Sequence, residues 1–338
     1  MPKPLLVGDF LSKSAHIPVI DVRSPAEFSH GHIPGAVNIP LFTNEERAEI
    51  GTIYKQKGNQ KAVIRGIEII GPKLEGFISD AKKVSDKELL VHCWRGGMRS
   101  GSMAWLFESA GIKCETLVGG YKSFRRDVLR SFEQPLNLFV VGGETGSGKT
   151  EILRELKNLG EQIVDLEALA HHKGSSYGAI GELPQPTTES FENLLWKEFA
   201  QLDRSRRIWI EDESRSIGKV FIPAALWKKK ISSPIRRIKV PFEIRVQRLV
   251  KDYGNFPKEL LHEATARIQK RLGGEATKLA LDALERGDLA ETVRITLRYY
   301  DKAYDFPQSE RKYENVEFIE TDSGDPAINA KLILGCIK

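Results

Sequence analysis

The chain is poor in cysteine, with three in 338 residues: Cys93, Cys114 and Cys336. Neither their number nor their spacing suits a disulfide framework or a zinc site, so at least one thiol is free to react. No apolar run approaches the length needed to span a bilayer, and the opening stretch MPKPLLVGDFLSKSAHIP lacks the apolar core of a signal peptide. These absences predict a cytoplasmic protein without a membrane partner. Internal repeats and low-complexity tracts are lacking as well.

A chain of 338 residues is long for one domain, and a division at 1–133 and 134–338 is expected. With 41% apolar and 29% charged residues it can bury sizeable cores and stay dissolved. The formal charge is +5, but residues 219–251 carry ten Lys/Arg against one acid, Glu243. A polyanion such as RNA is one partner for that segment, and a solvated basic face is the alternative.

Short apolar runs alternate with helical patterns throughout. Strands are expected at 17–22, 35–39, 88–92 and 113–117, with helices starting at Pro25 and covering 100–110 before Gly111. A second unit starts near Pro135, with a strand at 136–141, a helix at 151–159 stopped by Gly160, a strand at 162–165, a helix at 191–202 and a strand at 207–211. Mostly helices follow from 242 to 304. The fold class is α/β with parallel sheets, the second unit carrying additional helices.

Two stretches carry chemistry. In VHCWRGGMRS, Cys93 stands between an apolar strand and a glycine-rich turn holding Arg95, Gly96, Gly97 and Arg99. Backbone N–H groups and guanidinium groups there favour a thiolate or a bound oxyanion. In the second, GETGSGKT, Gly143, Thr145, Gly146, Ser147, Gly148, Lys149 and Thr150 satisfy G-x-x-x-x-G-K-[ST] between a strand and a helix. Its N–H groups and Lys149 suit a di- or triphosphate, and Thr150 suits Mg²⁺, although no cofactor follows firmly. Glu211 and Asp212, at the end of a strand, have the shape of a second metal-holding motif, and charged strand ends are also common.

The motifs D-V-R-x-x-x-E-F and G-H-I-P-G-A-x-N-I-P, within residues 21–40, resemble the rhodanese family, whose reactive cysteine sits in a loop between strand and helix. The resemblance implies a rhodanese-like first domain in which Cys93 is the nucleophile, its pKa brought below about 8.5 by Arg99 and the loop N–H groups. His32, Pro34 and Gly35 would shape a turn, Asp21 and Arg23 would tie the scaffold, and Cys114 and Cys336 would be inert. From Cys93 to Arg99 the loop has seven residues, where sulfur-carrying rhodaneses usually have six. H-C-x-x-G-x-x-R-S is also the signature of cysteine-dependent phosphatases, and a wider cradle suits a tetrahedral anion.

Joined to a phosphate-loop domain, these features resemble the tRNA 2-selenouridine synthase family, as do VDLEALAHHKGSSYG, QPTTESFE, WIEDESRSIGKVFIP, RLGG and LRYYDKAY. Lys173 stands where arginine is expected. The resemblance implies a transferase that replaces sulfur by selenium in wobble-position 2-thiouridine of tRNAs for lysine, glutamate and glutamine. Selenophosphate, supplied by a partner enzyme, would be the donor and would pass selenium directly or through a Cys93 selenosulfide. Geranyl diphosphate would first alkylate the sulfur, its diphosphate held on the phosphate loop; a pocket for its chain is required, and Trp196, Phe199 and Trp209 are candidates for its lining, with ordinary core the favoured reading for them. Lys228, Lys229, Lys230, Arg236, Arg237, Lys239, Arg245 and Arg248 are the RNA-contact candidates, followed by Arg204, Arg206 and Arg207. A cysteine phosphatase or sulfurtransferase joined to a nucleotide-binding module, and a non-enzymatic RNA-binding regulator, are the alternatives.

Overall fold

The computed structural model describes residues 2–305 and 316–335; Cys336 lies outside the described residues. The chain divides into two compact units, Met1–Ser131 and Phe132–Lys338. Both are α/β folds.

The first unit runs β1 (Lys3–Leu5), α1 (Val7–Lys13), β2 (Val19–Asp21), α2 (Pro25–His30), β3 (Val37–Asn38), α3 (Asn44–Lys57), α4 (Asn59–Ile70), α5 (Leu74–Val84), β4 (Glu88–His92), α6 (Met98–Ser109), β5 (Lys113–Leu117) and α7 (Gly120–Ser131). Its sheet has the order β1-β5-β4-β2-β3, with every pairing parallel. Parallel strands covered on both faces are apolar nearly throughout, which is why Leu89, Leu90 and Val91 read as a strand from sequence. The sequence pattern marked no element across 44–84, where α3, α4 and α5 lie. None of the residues of α3 is buried, so no apolar stripe marks it.

Ile20, Leu89 and Val91 of the sheet, and Val22 just after β2, pack with Phe77, Ala81, Met103 and Phe107 of the covering helices, and Cys93 belongs to this same cluster. The Cys93 loop is thus rooted in the hydrophobic core of the unit.

The second unit runs β6 (Leu138–Gly143), α8 (Lys149–Asn158), β7 (Gln162–Val164), α9 (Leu166–Ala170), α10 (Thr188–Ala200), β8 (Ile208–Glu211), β9 (Ser216–Ile217), β10 (Val220–Phe221), α11 (Ala224–Ser232), β11 (Ile235–Lys239), α12 (Phe242–Tyr253), α13 (Lys258–Arg267), α14 (Gln269–Leu272), α15 (Gly274–Glu285), α16 (Leu289–Asp305), β12 (Val316–Glu320) and α17 (Pro326–Gly335). The main sheet is parallel with order β12-β11-β6-β8-β7, and β9 and β10 form a small antiparallel pair. β6 sits where the strand order reverses, β8 and β7 on one side and β11 and β12 on the other. In open α/β sheets the crevice at the C-terminal end of such a strand is the ligand site, and residues 143–150 occupy it here.

The fold corrects the basic RNA face expected across 219–251. β11 is an inner strand between β6 and β12, so Arg236 pairs with Glu317 at 2.9 Å and Arg237 with Asp212 at 3.5 Å. Lys230 is 1% exposed and donates to Asp212 Oδ1 at 3.3 Å and to the Glu213 carbonyl. Arg245 is buried against Asp301, with two hydrogen bonds of 2.8 Å. Lys229 donates to the carbonyls of Phe132 and Glu133, at 3.0 and 2.7 Å. Among the eight main candidates, Lys228 and Lys239 remain exposed. A run of positive charge in sequence does not show which cations are neutralised internally; here most of them are.

Candidate active site

The Cys93 site is built by β4, α6 and the turn that follows β5. Gly96 has a positive φ of 65°, and a Cβ there would strike the Leu117 carbonyl; one on Gly120, φ 58°, would strike the Cys93 carbonyl. Only glycines let the two turns touch. Hydrogen bonds from Tyr121 N to the Cys93 carbonyl (2.8 Å) and from Lys122 N to the Trp94 carbonyl (3.0 Å) close the contact. Beneath it, Arg23 and Asp21 form a buried ion pair of 2.6 Å, and the guanidinium lies 3.8 Å from the Tyr121 ring centre.

The thiol sits on the floor of this turn, 3% exposed, with Sγ 3.3 Å from Ser100 Oγ. Burial pushes its pKa up, yet the Ser100 hydroxyl, the Arg99 charge and the N–H groups of Gly97 and Ser100 outweigh burial and hold it below the ordinary thiol value. The first turn of α6 supplies those N–H groups, the usual setting of an activated cysteine. Cys114 is the contrast: burial, then the charge of Glu108, push its thiol up to about 12. Arg95 is exposed at the rim, without an ion-pair partner among the described residues.

Arg99 is held by a residue that the sequence reading passed over. Glu27 Oε2 accepts from Arg99 Nη1 at 2.7 Å and from Ser24 N at 3.1 Å, so the capping carboxylate of α2 also aims the arginine at the cysteine turn. The S-x-x-E spacing of Ser24 and Glu27 is the signal that marks it. Glu27→Ala should lower stability by about 1 kcal/mol through the lost cap and free Arg99, whereas Glu27→Gln retains the cap. Melting temperature should therefore fall only in the alanine variant, while oxyanion protection of Cys93 against alkylation should weaken in both.

In the second unit, Lys149 Nζ reaches back to the Gly143 carbonyl at 3.4 Å, and Ser147 Oγ is buried without a hydrogen-bond partner among the described residues. Two arginines assigned to RNA instead serve this loop. Arg245 Nη1 donates to the Thr145 carbonyl at 3.2 Å, and the Arg248 guanidinium lies so close to Gly148 that a Cβ there would collide with it. Helix α12 thus forms a wall of the phosphate site. The cavity measures about 670 Å³, and Lys149, Arg154, Lys173, Arg248 and Arg271 line it. Lys173 pairs with Glu182 at 3.3 Å.

At the base of the site, Thr150 Oγ1 lies 2.8 Å from Glu167 Oε2 and 2.8 Å from Glu211 Oε1. A hydroxyl has one proton to donate, so both contacts are made only if one carboxyl is itself protonated. Burial, followed by the charge of Glu213, pushes Glu167 up to about 7, and burial with Glu167, Asp165 and Glu213 nearby raises Glu211 well above the carboxylate range. Asp212 points elsewhere, to Lys230 and Arg237, so the Glu211–Asp212 pair does not act as one motif. Among the described residues no group of three or more His, Cys, Asp or Glu side chains is placed to hold a metal ion. A Mg²⁺ ion would fit Thr150 and Glu211 only with phosphate oxygens and water completing its shell.

The raised carboxyl has a stability consequence. Between the unfolded pKa of about 4.3 and the folded value of about 7, the native state binds more protons at Glu167 than the unfolded chain does. Stability should fall as pH rises through that window. Thermal melts of Glu167→Gln should show a weaker loss over the same range.

Trp196, Phe199 and Trp209, named as lining for a hydrocarbon chain, line neither this cavity nor the apolar slot beside it. Phe199 and Trp209 are core, 1% and 0% exposed, and Trp209 Nε1 donates to Glu161 at 3.0 Å.

Residues 136–324 match the family described as the tRNA 2-selenouridine synthase AAA domain, and residues 7–127 match the rhodanese-like domain. The first match covers more than half of the chain. The chain belongs to the tRNA 2-selenouridine synthase family. Relatives bearing that name include those of Bdellovibrio bacteriovorus (42% identical over 70% of this chain and 65% of its own length), Sulfurovum sp. (34%, over 89% and 91%) and Nitrosomonas eutropha (37%, over 75% and 68%). The chain thus spans just under two thirds of the Bdellovibrio protein and most of the Sulfurovum one. Both expected domain types, rhodanese-like and phosphate-loop, are present in this family member, and no described helix is long and apolar enough to cross a membrane.

Proposed function

We propose that this family member converts wobble 2-thiouridine of tRNAs for lysine, glutamate and glutamine into 2-selenouridine, through an S-geranyl intermediate. The observation that carries the reading is a pair of anion sites with different chemistry: a thiol held acidic beside an oxyanion cradle, and a phosphate loop with no nucleophilic cysteine. Two consecutive reactions suit them.

In the first, the thiocarbonyl sulfur attacks the allylic carbon of geranyl diphosphate, the C–O bond breaks and pyrophosphate leaves. Lys149, the loop N–H groups and Arg248 stabilise the departing charge. Alkylation makes the sulfur a competent leaving group. In the second, selenium replaces it at C2 and geranyl thiol departs.

Selenium in selenophosphate is already at the selenide level, so a Cys93 selenosulfide would require an oxidant. A balanced role for Cys93 is attack on phosphorus: an S–P bond forms, the P–Se bond breaks with its electron pair passing to selenium, and selenide goes to C2. Water then hydrolyses the phosphocysteine. The seven-residue loop, shared with cysteine phosphatases, supports this role, with Arg99 and the N–H groups of Gly97 and Ser100 holding the phosphoryl oxygens. Lys228 and Lys239 are the exposed cations retained for RNA contact, and they would add salt-sensitive affinity more than base choice.

Mass spectrometry of 2-thiouridine tRNA incubated with the protein, geranyl diphosphate and selenophosphate tests the reading, each reagent being omitted in turn. Geranylated RNA without selenophosphate and selenouridine with both reagents are expected. Unchanged RNA in every arm, or release of phosphate from a generic aryl phosphate that depends on Cys93, would replace the reading with a phosphatase.

A further inference from the structure

Helices α3 and α4 of the first unit pack on each other and are joined at Gly58, whose φ of 86° makes the turn. The pair adds little to the core: α3 buries none of its 14 residues, and α4 buries Ala62 and Gly66. From residue 54 to residue 61 every position is exposed. Residues 50–67 contain Lys55, Lys57, Lys61 and Arg65 and no acid. Arg65 is neutralised from either side of the run, by Glu49 at 2.6 Å and Glu68 at 3.0 Å. Lys55, Lys57 and Lys61 form no ion pair among the described residues. This is the reverse of residues 219–251, where most of the cations are paired internally.

The side chains at this tip select the class of partner. Protein interfaces are depleted in lysine and are anchored by arginine and buried aromatic groups. Here the one arginine is already paired, and Gln56, Asn59 and Gln60 stand between the lysines. Lysine together with amide side chains is the set that takes phosphate and sugar oxygens. Tyr54, 59% exposed, adds a ring face on which an unpaired base can stack. The position agrees. Arg47, in the first turn of α3, lies 3.7 Å from Glu27, the carboxylate that also holds Arg99 at the Cys93 turn. Ten residues of helix separate Arg47 from Lys57, about 15 Å of rise. About five nucleotides of a stacked strand cover that distance.

We propose that the α3–α4 tip is an RNA-docking surface of the first unit, with Lys55, Lys57 and Lys61 holding backbone phosphates of the tRNA whose base is presented to Cys93. The assignment rests on the RNA-substrate reading above and adds a contact surface that the basic segment 219–251 does not supply. Phosphate contacts carry no sequence information, so the tip sets affinity and register, and base choice lies elsewhere. The lysines stand apart from the cysteine turn, so they act on RNA and leave the thiol's own reactivity alone.

The test is fluorescence anisotropy of the full chain with a labelled lysine tRNA transcript over a series of salt concentrations, for the parent and for the combined variant Lys55→Gln, Lys57→Gln, Lys61→Gln. The variant should bind about tenfold or more weakly at low salt, and its plot of log K against log salt should be shallower by about two to three. The loss should be equal for a tRNA of unrelated sequence. Arginine at the same three positions should retain parental binding. All three side chains are exposed, so melting temperature and the alkylation rate of Cys93 should match the parent, which separates a lost contact from misfolding. Parental affinity and slope in the glutamine variant overturn the assignment, as does an equal loss in the arginine variant. Parental RNA binding with a changed oligomeric mass would make the tip a contact between copies of the chain instead. A parent protein that binds no tRNA at any salt concentration overturns the RNA-substrate reading and the tip with it.

Discussion

Replacing Cys93 with serine should abolish selenium incorporation, by about a thousandfold or more, the scale of losing a nucleophile, while geranylation of the same tRNA continues. The hydroxyl is nearly isosteric, so folding should survive, but it is not ionised near neutrality. In the parent protein the alkylation rate of Cys93 should rise with pH to a midpoint below the free-thiol value of about 8.5, because the Ser100 hydroxyl, Arg99 and the α6 N–H groups favour the thiolate despite burial. Selenophosphate or inorganic phosphate should slow that alkylation by occupying the same donors. A thiol with an ordinary midpoint, indifferent to oxyanions, would leave Cys93 no part in the chemistry. Trapping phosphorus, and not selenium, on Cys93 in acid-quenched reactions would separate attack at phosphorus from transfer through a selenosulfide.

Lys149→Ala should reduce prenyl transfer by about a hundredfold to a thousandfold, the range for removing one charge-stabilising donor from a transition state. The loss should fall on kcat more than on KM, since the charge develops as the C–O bond breaks. Selenation of tRNA that already carries the geranyl group should be spared, which distinguishes a local effect from misfolding. Prenyl transfer at the parental rate would remove the diphosphate from the phosphate loop. Arg248→Ala should share the phenotype in weaker form: the arginine approaches the same loop from α12 and is itself held by Glu151 at 3.3 Å and the Gly324 carbonyl.

Both candidate sites were visible as motifs before the structure because their residues are consecutive. Cys93 to Ser100 and Gly143 to Thr150 each form one strand-turn-helix passage, and the turn alone brings the N–H groups together. Residues that complete the sites come from elsewhere. Glu27 lies 72 positions from Arg99, and Arg245 lies 100 from the Thr145 carbonyl. Glu167 and Glu211 meet at Thr150 across 17 and 61 positions. Nothing in local spacing links such groups.

The correction to the basic segment has the same cause. Residues 219–251 looked like an RNA face because their charge is dense in sequence, yet β11 threads between two strands and α12 turns Arg245 inward. For Phe199 and Trp209 the favoured reading, ordinary core, is what packing gives.

What the amino-acid order determined by itself is the pair of α/β units, the cysteine-bearing turn and the phosphate loop, since backbone hydrogen bonding and strand or helix periodicity act over a few residues. Tertiary structure alone decided which charges line the cavities and which face each other. The physical reason is that burial and Coulombic pairing depend on distance through space, and only packing of distant segments sets that distance.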